Sequence, residues 1–575
     1  MTIRARSVAV LVSVVLAAAS AAGLLASQTP QAAEPADLVI RGGRIVTLDA
    51  RVPEAQALAA RGGRIVAVGS NADVQRFVGA ATRVVELNGQ FAMPGFIEGH
   101  GHFANIGNAK LGLELLDTTS WEQIVQMVAD AVKQARPGQW IVGRGWHQEK
   151  WTSTPQPNVE GFPMKASLDR VSPDNPVVLT HASGHASFAN SKALELSGVT
   201  RDTPNPNGGE ILHDASGNPT GLMRETASGL IRRGAGEPEP TPAEVEARER
   251  RVLELADQEV ISNGITSFQD AGSSVMTVNR MKAAIDAGRM NVRLWVMIRG
   301  GNAQSLAAGR VVGYGGDRLT VRAIKITADG ALGSRGAWLL NPYSDKTDST
   351  GLATTPIDRI AEQAQVALDA GYQVCVHAIG DRANREVLNV YEEVFRKNNI
   401  NGRNLRWRIE HAQHIHRDDI PRFGRMNIIA SMQGVHATSD APWVEPRLGA
   451  ERAAEGAYVW QKLMQAGAVV TNGTDAPVED VDPIASYYAT VTRRTNSGMI
   501  FYADQAMSRI DALKSYTISN AYAAFEEDIK GTLTVGKLAD ITVLTKDITT
   551  VPAEEIRQAK VAYTIVGGTI VYTGQ

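Results

Sequence analysis

The sequence predicts an α/β chain: a (β/α)8 TIM-like barrel, a small β-sandwich built from both chain ends, and a long cap insert after the first barrel strand. Three observations carry this. A helix, a Gly stop and a β-branched strand recur along the middle of the chain. Short apolar runs entered through Gly turns sit at both ends. A stretch of about 104–240 separates the first two strands, where a usual βα loop has about 2–6 residues.

The N-terminus comes first. Arg4 and Arg6 precede the uncharged apolar run Val8 to Ala26, and small residues follow at Ala26-Ser27 and Ala32-Ala33. This is the layout of a secretory signal peptide, so residues 1–33 are expected to direct export to the periplasm or medium of a bacterium. The alternative is an uncleaved anchor, since roughly 18–20 apolar residues just span a bilayer. Richness in Ala rather than Leu and Ile favours cleavage, and no nearby cysteine marks a lipid-anchored precursor. Residues 34–90, with Asp37 to Val46 and Gly62 to Gly69, read as strands and turns, as do residues 528–575, with Asp540 to Leu544 and Ala562 to Gly568. Chain ends often lie close together, which makes one β unit of the two.

The barrel is expected over 91–527. Its strands begin near Phe96, Ile265, Arg293, Ala323, Gln373, Arg406, Ile428 and Val469. Thr241-Pro242-Ala243-Glu244 is a capping box with Pro at the first helical position. The unit returns at Thr355-Pro356-Ile357-Asp358, and again in the helix that stops at Ala466-Gly467. The charged run Glu244 to Arg251 is expected to be an exposed helix face with (i, i+4) pairs such as Glu244 with Arg248. The insert holds a helix capped by Ser120 and Gln123, with Trp121, Ile124, Val125, Val128 and Val132 on one face. Leaving the C-terminal end of a barrel strand, the insert should cover the active-site face.

Composition narrows the chemistry. The chain has 575 residues, enough for a large domain plus accessories. Its 58 basic and 61 acidic residues leave a net charge of −3, which argues against nucleic-acid binding. One cysteine, Cys375, excludes an intrachain disulfide and a thiolate metal cluster, and reads as buried strand filler. A metal site must therefore use imidazole and carboxylate.

Those groups gather at strand ends. His100 and His102 are two apart at the end of the first strand, so they point the same way. A His-x-His pair alone is a weak signal. In the fourth strand Ala323, Lys325 and Thr327 would face the barrel interior, where an ammonium is costly unless paired or neutralised. His377, His411 and Asp475 end the fifth, sixth and eighth strands. Barrel enzymes build their sites there.

With these motifs the chain resembles the amidohydrolase superfamily, in the branch called amidohydrolase family 3, or YtcJ-like. The matching segments are Met93-Pro94-Gly95-Phe96-Ile97 leading to His100-x-His102, Lys325 to Arg335, His377 to Arg382, Glu410 to Gln413, Gly473 to Pro477, and Gly531 to Asp540. The resemblance implies one divalent metal on His100, His102 and Asp475, a second on His377 and His411, and Lys325 bridging them as a carbon dioxide-derived carbamate. It implies two zinc ions, with iron, nickel or manganese as alternatives and a single metal if Lys325 is unmodified. Asp475 would be general base, then acid, for a metal-activated water. The inward facing of His411 and Asp475 rests on the resemblance, because their strands do not alternate cleanly. Glu98-Gly99 and Gly101 depart from the usual pattern and are expected to free space near the metal.

The family's segment around His181 and His185 faces the pocket, so His185 and, similarly, His147 are candidate substrate contacts. Arg335 and Arg382 hold a substrate carboxylate or pair with Asp329 and Asp381. His414, His416 and His436 are expected in loops, and His213 in solvent. The implied function is exported hydrolysis of a C–N bond in an amide, formamide, N-acyl compound or cyclic amide. The alternatives are an ester or lactone at the same site, or a catalytically silent ligand-binding or regulatory barrel. The expected partner is a small-molecule substrate, with a homodimer as an open alternative; neither nucleic acid nor, after signal cleavage, a membrane is expected.

Overall fold

The computed structural model describes residues 34–574, so the expected signal over 1–33 lies outside the described residues. Among the described residues no helix is long and apolar enough to cross a membrane.

The barrel wall is β1 (Phe96–Gly101), β2 (Ile265–Ser273), β3 (Arg293–Arg299), β4 (Leu319–Thr327), β5 (Gln373–Ala378), β6 (Arg408–His411), β7 (Ile429–Gln433) and β8 (Val470–Gly473). Each pairs with the next in parallel, from β1 through β8. All eight expected strands are present. The seam between β8 and β1 closes differently. Asp475 N donates to His100 O at 2.7 Å and His102 N donates to Ala476 O at 2.7 Å. Lower down, Asn520 Nδ2 reaches both Ile97 O at 2.6 Å and Asn472 O at 2.8 Å. The segment around Asn520 to Ala524 also stoppers the N-terminal mouth: Gln269 donates to Asn520 O, Gln373 to Ala523 O and Trp295 to Ala524 O. Above it, Trp295, Met297, Ala323, Cys375 and Ala271 fill the interior. Cys375 is thus barrel filling, and Ala323 faces inward as its alternation predicts.

Both chain ends join one six-stranded sheet, ordered Thr569–Thr573, Val561–Val566, Ile541–Leu544, Phe91–Pro94, Arg44–Asp49, Val52–Ala55. The halves meet where Pro94 pairs with Ile541 in antiparallel register. A four-stranded sheet of N-terminal residues packs on it, with Ile40, Leu58, Ile65, Ile541 and Ile565 in one core. The N-terminal part therefore runs to Pro94 rather than stopping at 90.

The helix Pro242–Ser262 starts on the Thr241 capping box as expected. That box occupies Glu244, whose carboxylate accepts from Thr241 N at 2.8 Å. Arg248 turns instead to Asn108 and Glu249, so the expected Glu244–Arg248 pair does not form. At the later unit Pro356 itself sits at the cap of Ile357–Asp369, with no side-chain cap bond. The insert's helix Trp121–Gln134 buries Trp121, Ile124 and Val128. It lies on a six-stranded mixed sheet, Leu113–Glu114 to Pro219–Glu225, which the sequence reading did not foresee.

Candidate active site

The site is built where β1 ends. Glu98 and His100 are both fully buried. Glu98 accepts from Thr474 N at 2.6 Å, Thr474 Oγ1 at 3.1 Å and His100 N at 3.2 Å. It clamps β1 to the turn after β8. Burial pushes its carboxyl up to about 8 against these hydrogen bonds. Gly99 does not free space near the metal: a Cβ there would lie 2.3 Å from Asn472 O and 2.5 Å from Asn520 Oδ1. A Cβ on Gly101 would lie 2.5 Å from the Phe268 ring. Gly99 lets the seam close, and Gly101 lets β1 lie against the Phe268 ring of β2.

His100 Nδ1 is hydrogen-bonded to Glu410, which leaves Nε2 as the free ring nitrogen. Glu410 is held in turn by Arg408 at 2.6 Å. Arg408 also donates to Gln269, Ser431 and Gly99 O. Burial raises the Glu410 carboxyl, but Arg408 and His100 outweigh it and hold the group well below the carboxylate range. His100 Nε2 lies 3.6 Å, and His102 Nε2 3.2 Å, from Asp475 Oδ1, and Lys325 Nζ lies 3.4 Å from His100 Nε2. The His411 ring lies 4.6 Å from that of His100 and 4.5 Å from that of His377. Ligand atoms of His100, His411 and Asp475 all fall within 4.8 Å of one another. The six expected ligands are neighbours, but among the described residues the ligand atoms in mutual reach are those of His100, His411 and Asp475, a set drawn from both expected half-sites, with Asp475 Oδ2 3.9 Å from His411 Nδ1.

Positive φ explains why β6 and β8 fail to alternate. His411 has φ 75° and Asp475 φ 60°. This left-handed backbone, unfavourable for residues other than glycine, turns both side chains inward, so Glu410 and His411 face the centre in succession. Gln433 Oε1 contacts His411 Nδ1 at 2.8 Å and fixes its ring.

The cap supplies the roof. His147, His181 and His185 line one cavity with His377, His411, His436, Trp443 and Asp475. His181 is committed to the cap itself, between Ser183 and Gln148. His185 Nδ1 bonds Glu225 at 2.6 Å, and its ring lies 4.9 Å from that of His377. His147 stacks on Trp443 at 4.6 Å. The structure brings His147 and His185 to the cavity. Arg335 is not among the lining residues; it pairs with Asp345 at 3.0 Å. Among the described residues Asp329 takes no arginine either. It accepts from the N–H groups of Trp338, Ile379 and Gly380 and lies 3.4 Å from His377 Nε2. Arg382 stacks on Trp338, while Asp381 accepts from Leu340 N. His436 is on the helix Gly434–Leu448 and lines the cavity rather than a loop, and His213 is half-buried rather than solvated. Glu410, Gln433 and Glu225 were missed, and Glu98 was read only as a gap beside the metal. The only signal for Glu410 was its place beside His411.

The residues fit a divalent metal. His102 Nδ1, His377 Nε2 and Asp475 Oδ1 are buried without a hydrogen-bond partner. Burial drives His100 down to about 4 and lowers His102, His377 and His411, so their imidazoles are in the neutral, ligating form. Burial also lowers Lys325, whose Nζ faces His100 Nε2 at 3.4 Å.

Fold and site together define a metal-dependent hydrolase. Residues 83–572 match the model of the amidohydrolase family. The chain belongs to that family. It is 34% identical over 565 residues to the protein LONG AFTER FAR-RED 3 of Arabidopsis thaliana, covering 95% of this chain and 94% of that one. It is 27% identical over 553 residues to the N-substituted formamide deformylase of Arthrobacter pascens, covering 93% and 98%. A metal-dependent hydrolase structure from Pyrococcus horikoshii superposes with a TM-score of 0.71 at 25% identity, covering 90% of this chain and 99% of that one.

Proposed function

We propose that the protein hydrolyses a C–N bond of a small amide, formamide, N-acyl compound or cyclic amide. The observation that carries this is the meeting of four neutral imidazoles, Lys325 and Asp475 at the C-terminal end of one barrel, with three of their polar atoms unpartnered. The Arthrobacter relative's name, a deformylase of N-substituted formamides, supports a C–N bond.

His100, His102 and Asp475 would hold one metal, and His377 and His411 a second, with zinc expected at both. When bound, the metals supply Lewis acidity and an activated water at neutral pH. Burial lowers Lys325, which favours the free amine that reacts with carbon dioxide; as a carbamate it would become an anionic oxygen ligand in place of a costly buried cation. Burial raises Asp475, but the nearby His102, 3.2 Å away, and the surrounding imidazoles outweigh this and keep it ionised. Asp475 takes the proton of the attacking water at its carboxylate and delivers it to the leaving nitrogen. His147 and His185 in the cap contact the substrate and exclude water. We also propose that residues 1–33 direct export, on the strength of Arg4, Arg6 and the run after them.

The test is metal analysis of the purified chain and hydrolysis of a panel of N-formyl, N-acyl and cyclic amides with ester and lactone counterparts. Turnover of amides is expected. Ester-only turnover replaces the reading, and absence of metal and activity after metal addition rejects it. Cell fractionation tests export.

A further inference from the structure

We infer that His436 is a catalytic residue, donating its Nε2–H to the carbonyl oxygen of the bond being cleaved. The inference rests on the hydrolase reading above.

His436 is 5% exposed and borders the cavity with His411 and Asp475. Its ring lies at 20° to that of His411, with centroids 6.2 Å apart. Its helix is locked in place at Gly434, where a Cβ would lie 2.0 Å from Thr490 Oγ1. Gln413 Nε2 contacts His436 Nδ1 at 3.0 Å. An amide nitrogen only donates, so Nδ1 accepts, and the neutral ring carries its hydrogen on Nε2. Nε2 has no partner among the described residues. A buried donor left unpaired costs about 1–3 kcal/mol, so its acceptor must come from outside the chain.

Acyl transfer places developing negative charge on the carbonyl oxygen. A fixed, neutral donor beside the reacting centre stabilises that charge without reorganisation. Trp443 Nε1, also unpartnered, lines the same cavity. It lies seven residues on, about 10 Å along the helix, and stacks on His147, so it is not placed to serve the same oxygen. Gln413 is then a positioning residue, which sets the tautomer of His436.

The test compares the parent with His436→Phe, His436→Gln and Gln413→Leu, with metal content and thermal unfolding measured for each. Equal metal loading is expected. His436→Phe should lower kcat on an N-acyl substrate by about 10²–10³-fold with KM little changed. His436→Gln, whose amide offers an N–H, should recover at least about tenfold of that loss, and Gln413→Leu should lie between. The tautomer is read without turnover from ¹⁵N spectra of histidine-labelled metal-loaded protein, with His436 assigned by its absence from His436→Phe. A ring protonated on Nε2 is expected, losing that preference in Gln413→Leu. An active, metal-loaded His436→Phe within about threefold of the parent overturns the inference, as does a ring protonated on Nδ1. A parent silent on the whole panel fails the hydrolase reading itself, and the substrate role of His436 falls with it.

Discussion

Replacing Glu98 tests whether the barrel seam depends on one side chain. Glu98→Ala strips the acceptor from two buried N–H groups, those of Thr474 and His100. Each orphaned donor costs about 1–3 kcal/mol, so the loss should be about 2–6 kcal/mol. The Thr474 hydroxyl loses a partner as well but still accepts from Ala476 N. Glu98→Gln should behave differently. With a carboxyl pushed up to about 8, Glu98 is largely protonated at neutral pH, and an amide copies that shape. Its Oε1 can still accept from both N–H groups, so the loss should stay under about 1 kcal/mol. A chain with several cores does not unfold in two states, so the assay is scanning calorimetry of all three proteins at one scan rate. Spread over a barrel of this size, the alanine variant should unfold about 2–12 °C below the parent. Alanine unfolding within about 1 °C of the parent, or glutamine falling as far as alanine, refutes the clamp.

Lys325→Ala and Asp475→Ala should each remove turnover, the second by about 10²–10⁴-fold, while near-UV circular dichroism stays that of the parent; unchanged rates defeat the mechanism. Glu160 pairs with Arg224 of the same cap and ties the cap to the barrel through Lys346 of the loop after β4, both at 2.6 Å. Burial raises its carboxyl, but the two cations lower it to about 2. Because the folded value is depressed, the contribution is present above the ordinary 4.5 and fades as pH falls toward about 2. Half-burial reduces it to about 1–3 kcal/mol. Urea titrations of the parent and Glu160→Gln should therefore differ near neutral pH and converge in acid; a gap that does not narrow on acidification is the contrary result.

The wall of the barrel was legible because its strands are short buried runs, several rich in β-branched residues, set between helix stops, a local property. His100, His102 and Lys325 were legible for the same reason: β1 and β4 keep their period of two. His411 and Asp475 were not readable from alternation. Their inward turn comes from positive φ, a strained state that the whole barrel imposes and that neither residue advertises. Glu98 was misread because its partner Thr474 is 376 positions away. Arg335 was misplaced because Asp345 competes for it from within its own loop. His436 belongs to a helix, and only the closing of the cap and the eighth strand turns that helix face into a cavity wall.

The seam and the site share their atoms, and this couples metal to closure. The bonds that join β8 to β1 at the C-terminal end run from Asp475 N and His102 N, two of the residues proposed to hold a metal. The other strands pair through ordinary ladders and do not need the ligands to stay joined. A metal held as proposed by His100, His102 and Asp475 would therefore tie together the one junction of the wall with no strand ladder among the described residues. Removing it should loosen residues 99–102 and 472–476 ahead of the other strand ends. Hydrogen exchange before and after chelation reads this directly. Faster exchange at the Thr474, Asp475 and His102 amides is expected, with β3 and β4 unchanged. Uniform acceleration across all eight strands would mean that the metal stabilises the barrel as a whole, and no change at the seam would mean that Glu98 and Asn520 close it alone.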